Sequence, residues 1–356
     1  MNRINNNNPI KLQYMVRYYV LIIKKDGVQL SLFPVAYSLL SQEALLSHIK
    51  AHYEVHEPVS LQYFLRGMND TYVLTTGQGK YIFRVYRADR RNHSEIAFEL
   101  DVLNGLHVKG VNVSVPISRK DGAFINDFRV VEGVKYGVMF SYAEGDEKPI
   151  HTIEDSYLFG QAVAQIHKET DNFSSEHVRG NLDFKNLIEK PLYTIKSHME
   201  HRQEDYDCLH DLAMRLKAQI VNHLEEGLDW GICHGDLHGN TNVAFTDDGI
   251  LTHYDFDSCG YGWRAYDIAE FRLAREIHSG HNKDEVEKLW DAFLKGYRDI
   301  RFISDNDINI VPVFVALRQL WLFGLCFSES ELIGEADFDQ GFVDSKIDYF
   351  RNLAIR

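Results

Sequence analysis

Two neighbouring segments of this chain carry side chains suited to phosphoryl transfer. The first is the run 234–242 (His-Gly-Asp-Leu-His-Gly-Asn-Thr-Asn), and the second is 254–257 (Tyr-Asp-Phe-Asp). Phosphoryl transfer needs a carboxylate that orients or deprotonates the attacking hydroxyl, and oxygen ligands that hold magnesium on the nucleotide phosphates. Asp236 fits the first requirement, and Asp255 with a nearby asparagine fits the second. We interpret the two segments as the active centre of a phosphotransferase.

The sequence offers two asparagines for the metal. In the protein-kinase catalytic loop, H-R-D-x-x-x-x-N, the Asn stands five residues after the Asp. That position is Thr241 here, with Asn240 before it and Asn242 after it. Asn242 is the first choice because it leads directly into an apolar run, 243–245, typical of the strand that should follow. Asn240 is the second choice, and a loop that uses Thr241 through water stays open.

These motifs resemble those of the aminoglycoside phosphotransferase and choline kinase-like family, which includes homoserine kinases of the second type. Besides the position of the Asn, Gly235 replaces the Arg of the protein-kinase loop, and Asp257 replaces the Gly of D-F-G. The resemblance covers residues 34–350, and further segments that carry it are 67–72, 81–87, 160–167, 263–269 and 316–321.

The resemblance implies ATP and Mg2+ as cofactors, and it places a nucleotide cation on the third strand. Arg84 stands where kinases have the Lys of V-A-I-K. Arg is always charged and presents a planar fork of donors, so it can serve phosphate oxygens, although its geometry differs from that of Lys. A helix carboxylate should hold this cation. Glu99 is the first choice by the resemblance, and Glu95, one turn away on the same helix face, is the second.

Further nucleotide contacts are expected from the turn and strand that border the cleft. Gly67 lies in the turn that resembles the family's nucleotide-covering loop, where backbone amides can approach phosphate. Phe140 and Tyr142 precede the predicted join between lobes and complete the expected nucleotide site.

Five other polar residues have assigned roles. His234 is expected to brace the catalytic loop by hydrogen bonding, and His238 to contact the transferred phosphoryl group. Asp257 either joins the metal site or caps the turn at 258–262. Asp267 is expected to accept hydrogen bonds from catalytic-loop amides, and Arg318, on an apolar helix, to form a structural ion pair rather than to bind substrate.

Composition limits the classes of function. The chain has 356 residues, 45% of them hydrophobic, enough for two domains or one large bilobal fold. A formal net charge of −14 argues against nucleic-acid binding; it favours solubility and is compatible with a cationic substrate. The four cysteines are widely spaced, which predicts neither disulfides nor a zinc site and fits a reducing cytoplasm.

The pattern predicts an α+β, bilobal protein kinase-like fold. A helix is expected over 41–53, strands over 60–64, 72–76, 81–86, 123–130 and 137–142, and one main helix over 92–106. Beyond Thr152 the pattern is mostly helical. We expect an N-terminal extension (1–33), a nucleotide-binding N-lobe (34–143) and a catalytic, substrate-binding C-lobe (144–356). Within the extension, 14–23 is interpreted as an added strand or loose segment, and the apolar stretch 308–327 as a buried helix rather than a membrane span.

The function predicted is transfer of the γ-phosphoryl group of ATP to a hydroxyl of a small molecule. By the resemblance, the acceptor is similar to an aminoglycoside, choline or homoserine. Two alternatives stay open: a protein Ser/Thr kinase, and a nucleotide-binding regulatory module without turnover. The sequence predicts no nucleic-acid or membrane partner and leaves the oligomeric state and the preference for ATP over GTP open.

Overall fold

The computed structural model describes residues 22–25, 28–31, 35–278, 280–334 and 338–354. Its first elements are two short antiparallel strands, β1 (Ile22–Lys25) and β2 (Val28–Ser31). The strand or loose segment predicted over 14–23 lies almost wholly outside the described residues.

The N-terminal lobe is built on an antiparallel sheet, as predicted. The sheet has the order β3-β4-β5-β8-β6, with β7 paired to β8. Its elements are α1 (Gln42–His52), β3 (Ser60–Arg66), β4 (Asp70–Thr76), β5 (Gly79–Val85), α2 (His93–Val108), β6 (Pro116–Ile117), β7 (Asn126–Val130) and β8 (Gly133–Ser141). All five predicted strands are present with shifted ends. β8 begins earlier than predicted because it forms a hairpin with β7 that pairs Val130 with Gly133.

Helix α2 lies between the sheet and the rest of the molecule. Asn92 and Glu95 form a capping box at its start. The apolar residues at helical spacing are buried: Ile96, Leu100, Leu103 and Leu106. Phe98, Glu99 and Val102 are buried as well, so the helix is covered on more than one face. This double burial brings the Glu99 carboxylate into the interior.

The second lobe is mostly helical, as predicted. Its helices are α3 (Ile153–Glu169), α4 (Lys190–His198), α5 (Gln203–Glu226), α6 (Arg264–Leu273), α7 (Lys283–Ile300), α8 (Asp305–Asn309), α9 (Val311–Ile333) and α10 (Gln340–Ala354). Two antiparallel strand pairs interrupt them: β9 (Trp230–Cys233) with β12 (Gly260–Trp263), and β10 (Val243–Phe245) with β11 (Leu251–His253). Helix α3 begins where the helical pattern is predicted to start, directly after Thr152, whose hydroxyl accepts a hydrogen bond from the Asp155 amide at 3.0 Å.

Helix α9 covers the apolar stretch that we expect to be a buried helix. By length and composition, Val311–Ser330 would be able to cross a membrane, but 56% of that window is buried inside the molecule. Phe314, Leu317 and Leu320 pack in the main core of the helical lobe. The prediction of a core helix is confirmed.

Helices α3 and α7 cross at very short range. A Cβ atom on Gly160 would lie 2.1 Å from the carbonyl oxygen of Phe293, and one on Gly296 would lie 2.0 Å from that of Tyr157. Any larger side chain at either position would force the helices apart. The pair supports the β10–β11 hairpin (the catalytic hairpin), which connects the segments 234–242 and 254–257, because Phe159 of α3 packs against His253 of β11.

Candidate active site

Asp236 lies in the loop between β9 and β10. One of its carboxylate oxygens accepts a hydrogen bond from Arg318 Nη2 at 2.6 Å, and the other accepts one from Asn242 Nδ2 at 2.7 Å. Its side chain keeps 32% of its surface exposed. The carboxylate is therefore oriented from two sides while one side stays accessible to a ligand.

The surroundings of Asp236 keep it ionised. Burial would raise the pKa of this carboxyl, but the charge of Arg318, the neighbouring His238 and His234, and the Asn242 amide outweigh that effect, and the pKa lies below its usual value. The carboxylate is thus ready to accept a proton or a hydrogen bond at neutral pH.

Backbone geometry explains why glycine precedes this aspartate. Gly235 has φ of +80°, and a Cβ atom there would lie 2.5 Å from the carbonyl oxygen of Ser258. The Asp267 carboxylate accepts hydrogen bonds from the amides of His234 at 2.6 Å and Gly235 at 2.8 Å. The prediction that Asp267 binds catalytic-loop amides is confirmed.

The two residues chosen from the sequence as metal ligands share a rare backbone conformation. Asn242 and Asp255 have φ of +64° and +61°, and among the described non-glycine residues only Asp89 also has a positive φ. Such strain of non-glycine residues clusters at functional sites. The Tyr254 amide donates to the Asn242 carbonyl at 3.0 Å, which joins the two turns directly.

The oxygen atoms of these side chains suit magnesium. The Asn242 amide nitrogen donates a hydrogen bond to the Asp236 carboxylate, so the oxygen Oδ1 is the group of this side chain that can bind a cation. The Asp255 side chain is 46% exposed, and Arg84 occupies one of its oxygens at 3.1 Å. No group of three or more His, Cys, Asp or Glu side chains suited to a metal occurs in the described ranges. Magnesium bound to nucleotide phosphates requires only one or two protein ligands, so this pair fits it.

The second-choice ligand, Asn240, is turned elsewhere. Its side-chain oxygen accepts a hydrogen bond from Arg275 Nη2, and the same nitrogen donates to the His238 carbonyl. Asn240 therefore fixes the loop against Arg275, and the structure favours Asn242 over it.

Arg84 on β5 contacts both Glu99 and Asp255. Its Nη1 lies 2.7 Å from Glu99 Oε1, and the second Glu99 oxygen accepts a hydrogen bond from the Tyr86 hydroxyl at 2.9 Å. Burial alone would lower the pKa of Arg84, but Tyr86, Glu99 and Asp255 raise it well above its usual value. The second-choice carboxylate, Glu95, instead accepts from the Asn92 amide at 3.0 Å in the capping box.

Of the three remaining predicted nucleotide contacts, Phe140 contacts this cation, and Gly67 and Tyr142 have other neighbours. The Gly67 amide donates to the Asn69 carbonyl at 3.0 Å in the turn between β3 and β4. Phe140 is buried, and its ring centroid lies 4.8 Å from the Arg84 guanidinium carbon, so the ring packs against the cation. Tyr142 is half-buried, and Lys80 Nζ lies 5.3 Å from its ring centroid.

Asp257 is not placed as a metal ligand, which corrects the second-choice assignment. Its carboxylate is buried and accepts hydrogen bonds from Arg90 Nη2 at 2.8 Å, Arg91 Nε at 3.0 Å and Asn69 Nδ2 at 3.1 Å. Burial would raise its pKa, but the arginines hold it well below the usual value. Since Asn69, Arg90 and Arg91 belong to the sheet lobe, Asp257 joins the two lobes.

The two histidines of the loop have defined hydrogen-bond partners. His238 Nδ1 accepts from the Asn240 amide at 3.1 Å, so a neutral ring carries its proton on Nε2, which lies 3.2 Å from the Thr241 hydroxyl. Burial lowers the pKa of His238 despite the nearby Asp236, which favours the neutral ring. His234 Nε2 lies 3.0 Å from the Tyr254 carbonyl, which confirms a bracing contact.

Sequence reasoning underestimated Arg318. The predicted ion pair exists, with Glu270 at 3.1 Å, but the same guanidinium also contacts Asp236 and donates to the Gly235 carbonyl at 3.1 Å. A charged residue inside the most apolar helix was the available signal, because a buried arginine requires carboxylate partners. Which carboxylate it meets depends on how α9 packs against the loop.

Comparisons with known proteins show the family of this chain. A model of the phosphotransferase enzyme family matches residues 65–303. An uncharacterized protein of Deinococcus radiodurans is 34% identical over 317 residues, covering 89% of this chain and 91% of that protein. Homoserine kinase of Neisseria meningitidis serogroup B is 28% identical over 263 residues, covering 73% of this chain and 80% of that kinase.

Solved structures support the fold. The structure of amicoumacin kinase hAmiN in complex with AMP-PNP, Ca2+ and Ami has a TM-score of 0.71 at 18% identity, covering 88% of this chain and 94% of that chain. The bilobal kinase-like fold is therefore shared. Because the family model spans well over half of the sequence and includes both turns of the site, the chain belongs to the phosphotransferase enzyme family.

Proposed function

We propose that this kinase transfers the γ-phosphoryl group of ATP, with Mg2+, to a hydroxyl group of a small molecule. The observation that carries the proposal is the hydrogen-bonded pairing of Asp236 with Asn242, beside an Asp255 that also contacts the Arg84–Glu99 ion pair. Base, metal ligands and nucleotide cation then belong to one connected network, as phosphoryl transfer requires.

In the proposed step, Asp236 accepts the proton of the acceptor hydroxyl. The hydroxyl oxygen forms a bond to the γ-phosphorus, while the bond from that phosphorus to the β,γ-bridging oxygen breaks, and ADP leaves with the electron pair. Arg318 keeps Asp236 ionised and oriented before the step. Bound magnesium would neutralise charge on the phosphates, held by Asn242 and Asp255.

The comparisons support the nucleotide and the class of acceptor. The amicoumacin kinase structure holds a nucleotide analogue with a divalent cation. The homoserine kinase relative acts, by its name, on a small hydroxylated molecule.

We also propose that residues 34–143 bind nucleotide and residues 144–356 supply the catalytic loop and the acceptor site. The four free cysteines favour the reducing cytoplasm as its location.

The test is ATP consumption across a panel of hydroxyl compounds, with the product identified by mass. We expect magnesium-dependent transfer that falls at least about 10³-fold in Asp236→Asn, since a positioned base and its orientation of the nucleophile are both lost. Transfer that persists in Asp236→Asn would overturn the assignment of the base. Phosphate transferred from ATP to added proteins, and to no small molecule, would favour a protein kinase instead.

A further inference from the structure

A cavity of about 300 Å³ lies between the lobes beside the catalytic loop. Gly235, the residue before Asp236, lines it, as does Arg318, which contacts the Asp236 carboxylate. One wall is apolar and includes Trp321 and Leu325 of α9. Its volume suits a small molecule, and its position suits one whose hydroxyl must meet Asp236.

The charge of this cavity is opposite to that of the whole chain. Its lining includes four cationic side chains, Arg91, Arg179, Lys190 and Arg318, and one acidic side chain, Glu95. Glu95 is already engaged, because its carboxylate accepts a hydrogen bond from the Asn92 amide in the capping box. A chain with 52 acidic and 38 basic residues thus collects basic ones at this place.

Partners inside the protein neutralise two of these cations. Arg318 pairs with Asp236 and Glu270. Arg179 is buried and lies within 4 Å of Glu99 and Asp257. Their charges are therefore balanced without a ligand.

The other two cations keep donors for a ligand. Arg91 uses Nε and Nη2 on Asp257, and within the described ranges its Nη1 has no hydrogen-bond partner. Lys190, the first residue of α4, is exposed, and its ammonium group has no ion pair or hydrogen bond among the residues that the structure describes. The Asp257 carboxylate also contacts Arg90 and Arg179, so it is shared among arginines and does not fully balance the charge of Arg91.

We propose that the phosphoryl acceptor carries an anionic group, a carboxylate or a phosphate, which binds Lys190 and Arg91 while its hydroxyl faces Asp236. This inference rests on the proposed function and adds the class of its substrate. An ammonium-bearing acceptor would enter a cavity whose one carboxylate is already hydrogen-bonded and whose cations would repel it. The acidic surface of the chain, which is compatible with a cationic substrate, does not extend into this cavity.

The test compares four groups of small alcohols as acceptors: hydroxycarboxylic acids, phosphate monoesters with a free hydroxyl, neutral polyols and amino alcohols. We expect one of the two anionic groups to have the highest kcat/KM. The ranking of those two groups distinguishes a carboxylate from a phosphate.

Charge reversal at Lys190 tests whether this residue binds the anionic group of the acceptor. Lys190→Glu should lower kcat/KM for the best anionic acceptor at least about tenfold, mainly through KM, because a charge-assisted contact is lost and a repulsive one is added. Lys190→Arg should restore most of it, and the KM for ATP should not change. The matched control is Lys185→Glu, since Lys185 is exposed on the preceding turn and does not line the cavity.

Calorimetric binding of the same compounds in the presence of ADP separates the two proposals. Anions that bind but receive no phosphate would contradict the proposed function and support the assignment of the cavity. Preferred transfer to amino alcohols or neutral polyols, absence of anion binding, or equal effects of Lys190→Glu and Lys185→Glu would each overturn the inference.

Discussion

At the scale of single residues, the site depends on side chains that hold one another by hydrogen bonds. The Asn242 amide nitrogen donates a hydrogen bond to Asp236, which leaves the side-chain oxygen for the proposed metal. Arg84 contacts Glu99 and Asp255 together. Removing any one of these groups therefore changes its neighbours as well, and the effects of paired substitutions should not be additive.

The choice between the two asparagines yields the first prediction. Asn242→Ala should raise the magnesium concentration needed for half-maximal activity at least about tenfold, because an amide ligand is lost. Asn240→Ala should leave that concentration nearly unchanged and lower stability by about 1 kcal/mol, because it loses the hydrogen bond from Arg275. Activity measured against magnesium concentration decides between them, and the reverse pattern would reassign the ligand to Asn240.

The two helix carboxylates yield the second prediction. Glu99→Gln should raise the KM for ATP about tenfold or more, because Arg84 loses the charged partner that holds it beside the phosphates. Glu95→Gln is the matched control one turn away; it should leave the KM for ATP unchanged and alter stability by less than about 1 kcal/mol. Steady-state kinetics at saturating acceptor measures both, and a larger effect at Glu95 would refute the pairing.

At the scale of elements, the crossing of α3 and α7 positions the catalytic hairpin. Gly160→Ala should lower the free energy of unfolding by about 2 kcal/mol or more, because the new Cβ would meet the backbone of Phe293 at 2.1 Å. Gly105→Ala in α2 is the control: its Cβ would meet only a ring carbon at 3.9 Å, and the gain in helix propensity should stabilise the protein by up to about 1 kcal/mol. Urea unfolding of both variants measures the difference. Equal stabilities would show that the helices can separate at little cost.

At the scale of the whole molecule, Asp257 joins the lobes through arginines of the sheet lobe. Asp257→Asn should destabilise the protein by about 3 kcal/mol, because the buried Arg179 and the partly buried Arg90 and Arg91 lose their shared charged partner. Asp247→Asn, on an exposed turn, is the control and should have little effect.

The pH dependence of this effect has a defined sign. The pKa of Asp257 is depressed in the folded state, so its contribution is complete above its unfolded value near 3.8 and is lost as the pH falls through the folded pKa. The stability difference between wild type and Asp257→Asn should therefore be constant around neutral pH and shrink only in strong acid. Thermal unfolding across pH measures it, and a difference that disappears near pH 6 would contradict the depressed pKa.

The motifs in the sequence predict the chemistry, and its hydrophobic pattern predicts the order of the elements. Asp236 and Asp255 are predicted from the spacing of the motifs, and Asn242 because an apolar run follows it in the sequence. The strands and α2 are predicted from hydrophobic periodicity, which indicates which face of a helix or strand is buried.

The tertiary structure alone decided which charges meet. Arg318 lies 82 positions from Asp236, and Asp257 lies 167 from Arg90, so no local pattern records either contact. The sequence suggests Asp257 as a possible metal ligand, but in the folded chain its carboxylate contacts arginines of the sheet lobe. The surplus of positive charge around Lys190 likewise arises because α4, α9 and the segments that hold Arg91 and Arg179 converge on one cavity, and electrostatic interactions depend on distance in space rather than along the chain.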